Sequence, residues 1–238
     1  MIGAYLQCYK QPYATYQCLK SFRTFYPHST IVLLSDNGYD YTEMAKHFRC
    51  IYIHEDRQIL LTLSLEDDYV TESILLIERM ERVFSFIPEK YIMWLEDDVS
   101  VNGAIQDTFR YDLNGYCPNA FNTFWNIDKK KYPLTGVYHW SGHGGSVFHK
   151  EHFLHYVKNR PLVHDILVNW KTYHLPTNVG QDLFWSLIIT LHGGTVGPYQ
   201  GHADCRYKNN AITVQHQYKV WYNVPLPYEL APLVKIHK

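Results

Sequence analysis

Glu96-Asp97-Asp98 follows the apolar run Tyr91-Ile92-Met93-Trp94-Leu95 and precedes Val99-Ser100-Val101. Three adjacent carboxylates repel one another, and a cation held between them removes that penalty. Residues two apart on an extended segment point the same way, so Glu96 and Asp98 can share one site while Asp97 faces the other side. One or two carboxylates completed by substrate phosphates suit a hard divalent cation, Mn2+ or Mg2+. The other acidic triplet, Glu66-Asp67-Asp68, has no strand before it, and that context separates the two.

Such a site needs a scaffold that delivers the triplet at a strand's end. Residues 2–8 read as a short buried strand, and Pro12 breaks the chain before a helix pattern from Tyr13 to Phe25. Thr30-Ile31-Val32-Leu33-Leu34, stopped by Ser35-Asp36-Asn37-Gly38, has the pattern of a parallel strand covered on both faces. A helix at Thr42–Phe48, a strand at Cys50–His54, a helix over about residues 70–87 and the strand Tyr91–Leu95 follow. Ile74, Ile77, Met80, Val83, Phe84 and Ile87 form that long helix's apolar face. The alternation is that of an open α/β sheet with right-handed crossovers, in which ligands bind beyond the carboxyl ends of the strands. The back half is less regular. Strands are expected at Asn122–Trp125, Ser146–His149, Gly194–Pro198 and Ile212–Gln215, and helices at Lys150–Lys158 and Asp182–His192.

Composition narrows the partners. The chain has 238 residues, 46% hydrophobic and 19% charged, a globular balance with length enough for a core. Its net charge of -1 gives no electrostatic footprint for nucleic acid or an anionic membrane. Rings are abundant, with 21 Tyr, 11 Phe and 6 Trp, and flat apolar faces with a polar handle suit sugars as well as a Tyr-rich core. Five cysteines without CxxC or zinc-like spacing read as reduced, mostly buried thiols. There is no basic n-region and no run of roughly 18 apolar residues, so no membrane span and a cytoplasmic location are expected.

Trp140-Ser141-Gly142-His143-Gly144-Gly145-Ser146 leads into an apolar strand, and its glycines allow close approach of backbone to a ligand or form a tight turn. No Gly-Lys-Ser/Thr follows, so it is not a Walker loop. From the first strand through Ser35-Asp36-Asn37-Gly38 to Tyr91–Asp98, the front half resembles the GT-A glycosyltransferases and their DxD motif, with Glu96 where Asp is more usual. Small virus-encoded members of that group are one type it resembles. The resemblance implies a single GT-A-like α/β domain, a mostly parallel mixed sheet flanked by helices. Residues 1–101 would bind the nucleotide sugar, and residues 102–238 would shape the acceptor site and carry catalytic groups.

On that resemblance Asp98 would ligate the metal, and Glu96 or Asp97 would face the donor ribose or metal-bound water. The first strand's exit, Gln7-Cys8-Tyr9, and Asp36 would hold the nucleoside: Tyr9 would stack on the base and Asp36 would accept from its edge, unless Asp36 only forms an Asx turn. Arg79 and Arg82, one helical turn apart, would reach the diphosphate or sugar, with pairing to Glu78 and Glu81 as the structural alternative. Gly144 and Gly145 would lie against the donor. Gly180-Gln181-Asp182 resembles the acidic motif near the reacting carbon, although a carboxylate at a helix start is also favoured by the dipole. His216-Gln217-Tyr218-Lys219-Val220-Trp221 resembles the C-terminal segment of retaining enzymes, where the His completes the metal shell and the Lys contacts phosphate. The glycine usual between them is missing, and His202 rivals His216 as third ligand. His149, His152 and His155 read as mixed surface.

The reading is a metal-dependent hexosyl transfer from a nucleotide-diphosphate sugar, UDP-sugar favoured, to a glycan or glycoprotein acceptor, with retention favoured over inversion. In an inverting enzyme Asp182 would be the base for the acceptor hydroxyl, and in a retaining one Gln181 or Asp182 would stabilise an oxocarbenium-like centre. The alternatives are a sugar nucleotidyltransferase, which usually carries a Gly-rich basic loop that Tyr9-Lys10-Gln11-Pro12 is not, and a non-catalytic sugar-binding protein on the same fold.

Overall fold

The structure is a computed structural model that describes residues 1–64, 68–117, 131, 140–173, 178–209, 211–216 and 218–236. The strand expected at Asn122–Trp125 lies outside them, as do Glu66 and Asp67.

The front half alternates as the apolar runs require. Strand β1 (Ile2–Cys8) leads to α1 (Pro12–Phe25), β2 (Ile31–Asp36), α2 (Thr42–Phe48), β3 (Ile51–Glu55), β4 (Thr62–Ser64), α3 (Tyr69–Ser85) and β5 (Tyr91–Leu95). Pro12 begins α1 instead of preceding it, because a first-turn residue needs no N–H partner and proline's φ is already helical. Asp68 caps α3 by accepting from the Thr71 N–H at 3.2 Å. The expected apolar face of α3 is present: Ile77, Met80, Val83 and Phe84 are buried, and Ile87 is buried just past its end.

The back half uses shorter pieces. They are β6 (Ser100–Val101), β7 (Leu113–Asn114), β8 (Val147–His149), α4 (Lys150–Lys158), α5 (Arg160–Val168), α6 (Trp170–Tyr173), β9 (Asn178–Gly180), α7 (Gln181–Leu191), β10 (Val196–Gly197), β11 (His202–Asp204) and β12 (Val214–His216). A 3-10 turn follows at Lys219–Trp221, and another at Tyr228–Leu233.

Seven strands form one sheet in the order β10-β7-β8-β5-β1-β2-β3. All run one way except β8, which pairs antiparallel with both β5 and β7. Strands β1, β2 and β5 are buried on both faces, as their continuous apolar runs demand, while the edge strand β3 is partly exposed. In β1, Ala4, Leu6 and Cys8 pack with α1 and α2, whereas Tyr5 joins the core formed by α3, α4, α5 and α7. Strands from both halves of the chain therefore share one sheet, a mixed α/β architecture of the GT-A-like kind. Two small sheets flank it: β11-β12-β6, and the antiparallel pair β4-β9. Contrary to expectation, the Glu66-Asp67-Asp68 triplet also follows a strand, since β4 ends two residues before it; β4 is a three-residue strand of a side sheet, whereas β5 lies within the main one. Among the described residues no helix is long and apolar enough to cross a membrane. All five cysteines are free thiols, with Cys8 and Cys18 buried and the other three only partly so.

Candidate metal and nucleotide site

The acidic triplet leaves the carboxyl end of β5, in the middle of the sheet. Its turn closes with the Val99 N–H donating to the Glu96 carbonyl at 3.0 Å. The chain then enters β6, which pairs antiparallel with β12 in the register Ser100 opposite Gln215. That pairing delivers His216, and the Tyr218 N–H fixes it further by donating to the Asp98 carbonyl at 2.8 Å. Glu96, Asp98 and His216 thereby each offer a ligand atom, all within 4.8 Å of one another. His216 Nε2 lies 3.8 Å from a Glu96 oxygen and 3.6 Å from Asp98 Oδ1. Trp94 donates to the other Glu96 oxygen at 3.1 Å.

Asp98 is only 3% exposed, so it is a buried group and not a rim residue. Its Oδ1 has no hydrogen-bond partner. Burial, then the Glu96 charge, pushes its carboxyl up to about 6. Burial also lifts Asp97, to about 7, although the Tyr222 hydroxyl donates to it. For His216 burial opposes the charge, but the Asp204 and Glu96 carboxylates prevail and raise it to about 10. Burial would likewise raise Glu96, yet the nearby His216 imidazolium and the bond from Trp94 hold it below the usual carboxylate range. In the metal-free chain a protonated imidazole thus compensates the carboxylates. Two carboxylates, one with an orphaned buried oxygen, and an imidazole Nε2 make a donor set that fits a divalent cation.

A cavity of about 290 Å³ opens beside the triplet, lined by Gln7, Tyr9, Asp36, Ile59, Glu96 and Tyr222 among others. Asp36, at the end of β2, does not form an Asx turn. Its carboxylate accepts from Gln7 Nε2 at 2.8 Å and from the Ile59 N–H at 3.0 Å, and pairs with Arg79 at 2.8 Å. Gly38 is required here, since a Cβ on it would stand 2.0 Å from the Tyr9 carbonyl oxygen. Tyr9 is thereby held at the cavity wall, with Lys10 Nζ 4.8 Å from its ring centre. A larger hollow of about 440 Å³, between α1 and β6, is lined by no carboxylate or imidazole.

The arginines are placed differently from expectation. Arg79 is 3% exposed and bridges Asp36 and Glu55, so it supports the cavity floor and does not line the cavity. Arg82 pairs with Glu55 too, and Glu81 pairs with Arg160. Instead of standing free for a diphosphate, the Arg79 guanidinium is held by two carboxylates.

Gln181 and Asp182 open α7. The β4-β9 pair and the Gln181 N–H, which donates to the Leu61 carbonyl at 3.1 Å, tie that helix start to the cavity wall. The Gln181 Oε1 atom is buried without a partner, and burial raises the Asp182 carboxyl while nearby His143 lowers it. The glycine loop packs against these groups. A Cβ on Gly142 would meet Asp182 Cα at 2.9 Å, and one on Gly144 would meet His216 Cδ2 at 2.7 Å. Gly145, at φ +90, abuts Val214 and His202. The close approach this loop permits is thus to the cluster itself.

His202 is not a ligand here. Its Nδ1 accepts from the Tyr116 N–H at 2.7 Å, so Nε2 donates to the Gly144 carbonyl at 3.0 Å. Burial pushes its pKa down to about 3. Lys219 Nζ lies 3.8 Å from Asp98 Oδ2, on a side chain 60% exposed. His149 and His152 stack on one another away from the cluster, with His152 bonded to Asp112. Gln7, at the exit of the first strand, lines the cavity beside Asp36. Sequence reasoning missed Tyr222, His143 and Asp204, which become neighbours of the site only through tertiary pairing.

No protein-family model and no curated protein sequence matches the chain. Solved structures do. The galactosyltransferase LgtC in complex with donor and acceptor sugar analogues aligns over 98% of this chain and 100% of its own, with TM-score 0.55 and 11% identity. An active-site mutant of LgtC aligns over 100% and 98%, with TM-score 0.53 and 12% identity. The glycosyltransferase GlyE of Streptococcus pneumoniae TIGR4 covers 91% of this chain and 55% of its own, with TM-score 0.51 and 9% identity. The chain has the GT-A-like fold seen in these glycosyltransferases.

Proposed function

We propose that the protein is a divalent-metal-dependent glycosyltransferase that takes a hexose from a nucleotide-diphosphate sugar, UDP-sugar favoured, and gives it to a glycan or glycoprotein acceptor with retention. The observation that carries the reading is the convergence of Glu96, Asp98 and His216 at the carboxyl edge of the sheet beside a cavity bearing Tyr9 and Asp36. The fold likeness to LgtC, crystallised with donor and acceptor sugar analogues, supports the same reaction class.

In this reading Glu96, Asp98 and His216 hold Mn2+ or Mg2+. The bound cation supplies charge neutralisation for the departing diphosphate. Tyr9 stacks on the base, Asp36 and Asp97 position the nucleoside, and Lys219 adds positive charge at the phosphate end. Gly144 and Gly145 let the loop backbone close on His216 and His202 behind the ligand cluster. Gln181 and Asp182 flank the reacting carbon, where the amide oxygen stabilises an oxocarbenium-like centre and the departing phosphate accepts the acceptor hydroxyl's proton. Gln181 and the His216…Lys219…Trp221 segment favour retention over inversion.

A thermal-shift panel of nucleotide diphosphates and nucleotide sugars, with and without Mn2+, tests the donor class. A ligand at one hundred times its dissociation constant stabilises the fold by about 2.7 kcal/mol. UDP and a UDP-hexose should do so only with the metal. A shift from nucleoside triphosphates and sugar phosphates alone would favour nucleotidyl transfer instead.

A further inference from the structure

Strands β11 and β12 run parallel with Asp204 directly opposite His216. Partners in register show their side chains on one face of the sheet, and here they meet: Asp204 Oδ1 lies 2.7 Å from His216 Nδ1. The other nitrogen, Nε2, faces Glu96 and Asp98. The ring has little freedom otherwise, because the bare Cα of Gly144 lies against its Cδ2 edge.

We infer that Asp204 is a positioning residue for the metal site, holding the His216 proton on Nδ1 and aiming the Nε2 lone pair at the cation. The inference rests on the metal reading above. A ring whose Nδ1–H is donated to a carboxylate keeps one tautomer and one orientation, and it is a more basic ligand for that bond. Asp204 is not one of the three clustered ligands and meets the site at the Nδ1 edge of the ring. It offers an acceptor in line with the strand pairing, so cation affinity depends on a residue that touches neither metal nor substrate.

Mn2+ titration followed by the EPR signal of the free ion, with and without UDP, tests this on the full chain. Loss of an outer partner of a metal-bound histidine typically weakens metal affinity about 10–100-fold. Asp204→Ala should weaken Mn2+ by that amount, while Asp204→Asn, which keeps an acceptor oxygen, should recover most of it. In a His216→Ala background Asp204→Ala should have no further effect, a non-additivity that a merely structural role would not produce. Melting temperatures of the metal-free variants control for folding, and if Asp204→Ala does not fold, Asp204→Leu, of similar size but without an acceptor, takes its place in the comparison with Asn and in the His216→Ala cycle. Wild-type affinity in Asp204→Ala, tighter binding, or an Asn variant as weak as Ala would overturn the positioning role alone. A wild-type chain that binds no Mn2+ even with UDP would overturn the metal reading as well.

Discussion

Asp98 carries a buried oxygen with no partner, pushed toward protonation by its surroundings and by Glu96. Replacing it with Ala removes a like charge from a low-dielectric site, so the metal-free variant should melt at or above the wild-type temperature. The same variant should lose the Mn2+-induced shift in melting temperature, and retention of that shift would displace Asp98 from the ligand set. His216 supplies the sole imidazole of the cluster, and imidazole suits Mn2+ better than Mg2+. His216→Ala should therefore raise the Mn2+ concentration needed for half-maximal donor hydrolysis while narrowing the preference for Mn2+ over Mg2+. An unchanged metal profile would remove His216 from the set. The triplet was legible in the sequence because an apolar strand announces where it must lie. Tyr222 and Asp204 were not, since no spacing along the chain marks a phenol that bonds Asp97 or a carboxylate that meets His216 across a parallel pair.

At the scale of elements, the long strands and helices of the front half follow from their runs of apolar residues. In the back half β8, β10, β12, α4 and α7 lie where the sequence placed them, whereas β6, β7, β9 and β11, two or three residues long, are too short for alternation to show. Those fragments nevertheless build the site: β6-β12 brings His216 to Asp98, and β4-β9 docks the start of α7 beside the cavity. If that docking sets Asp182 beside the reacting carbon, Asp182→Asn should lower turnover roughly a hundredfold or more, the usual scale for losing a preorganised electrostatic group at the reacting centre. Donor affinity should change little, and parallel collapse of rate and affinity would make Asp182 a binding or structural residue. Arg79 of α3 clamps the ends of β2 and β3 through Asp36 and Glu55. Its helix position suggested a phosphate contact, but the burial that makes it a clamp is a tertiary property. Arg79→Ala should destabilise the chain by about 3–5 kcal/mol, the scale for breaking a buried pair, read by urea unfolding.

Over the whole molecule, pH and metal act on the same charges. Asp97 and Asp98 have folded pKa values raised from 3.8 to about 7 and about 6, and His216 is raised from 6.5 to about 10. A group raised on folding contributes stability that is full below its unfolded value and lost as pH climbs through its folded value. The metal-free chain should therefore lose stability from about pH 4 to 7 through the aspartates, and from pH 6.5 to 10 through His216. Glu96 and Asp204 are lowered and act oppositely, losing their contribution only as the solution becomes acidic. Metal binding displaces the His216 proton, so the Mn2+-induced stabilisation should grow with pH across the upper window. Melting temperatures between pH 6.5 and 9, with and without Mn2+, check both trends. The central claim is tested most directly by an NMR time course of a UDP-hexose with the purified chain, run with Mn2+, with EDTA, and with Asp98→Ala. The account predicts UDP and free hexose of the donor's anomeric configuration from the wild type with Mn2+ and from neither control; no turnover with any divalent cation and any UDP-hexose, or turnover indifferent to EDTA, would contradict it.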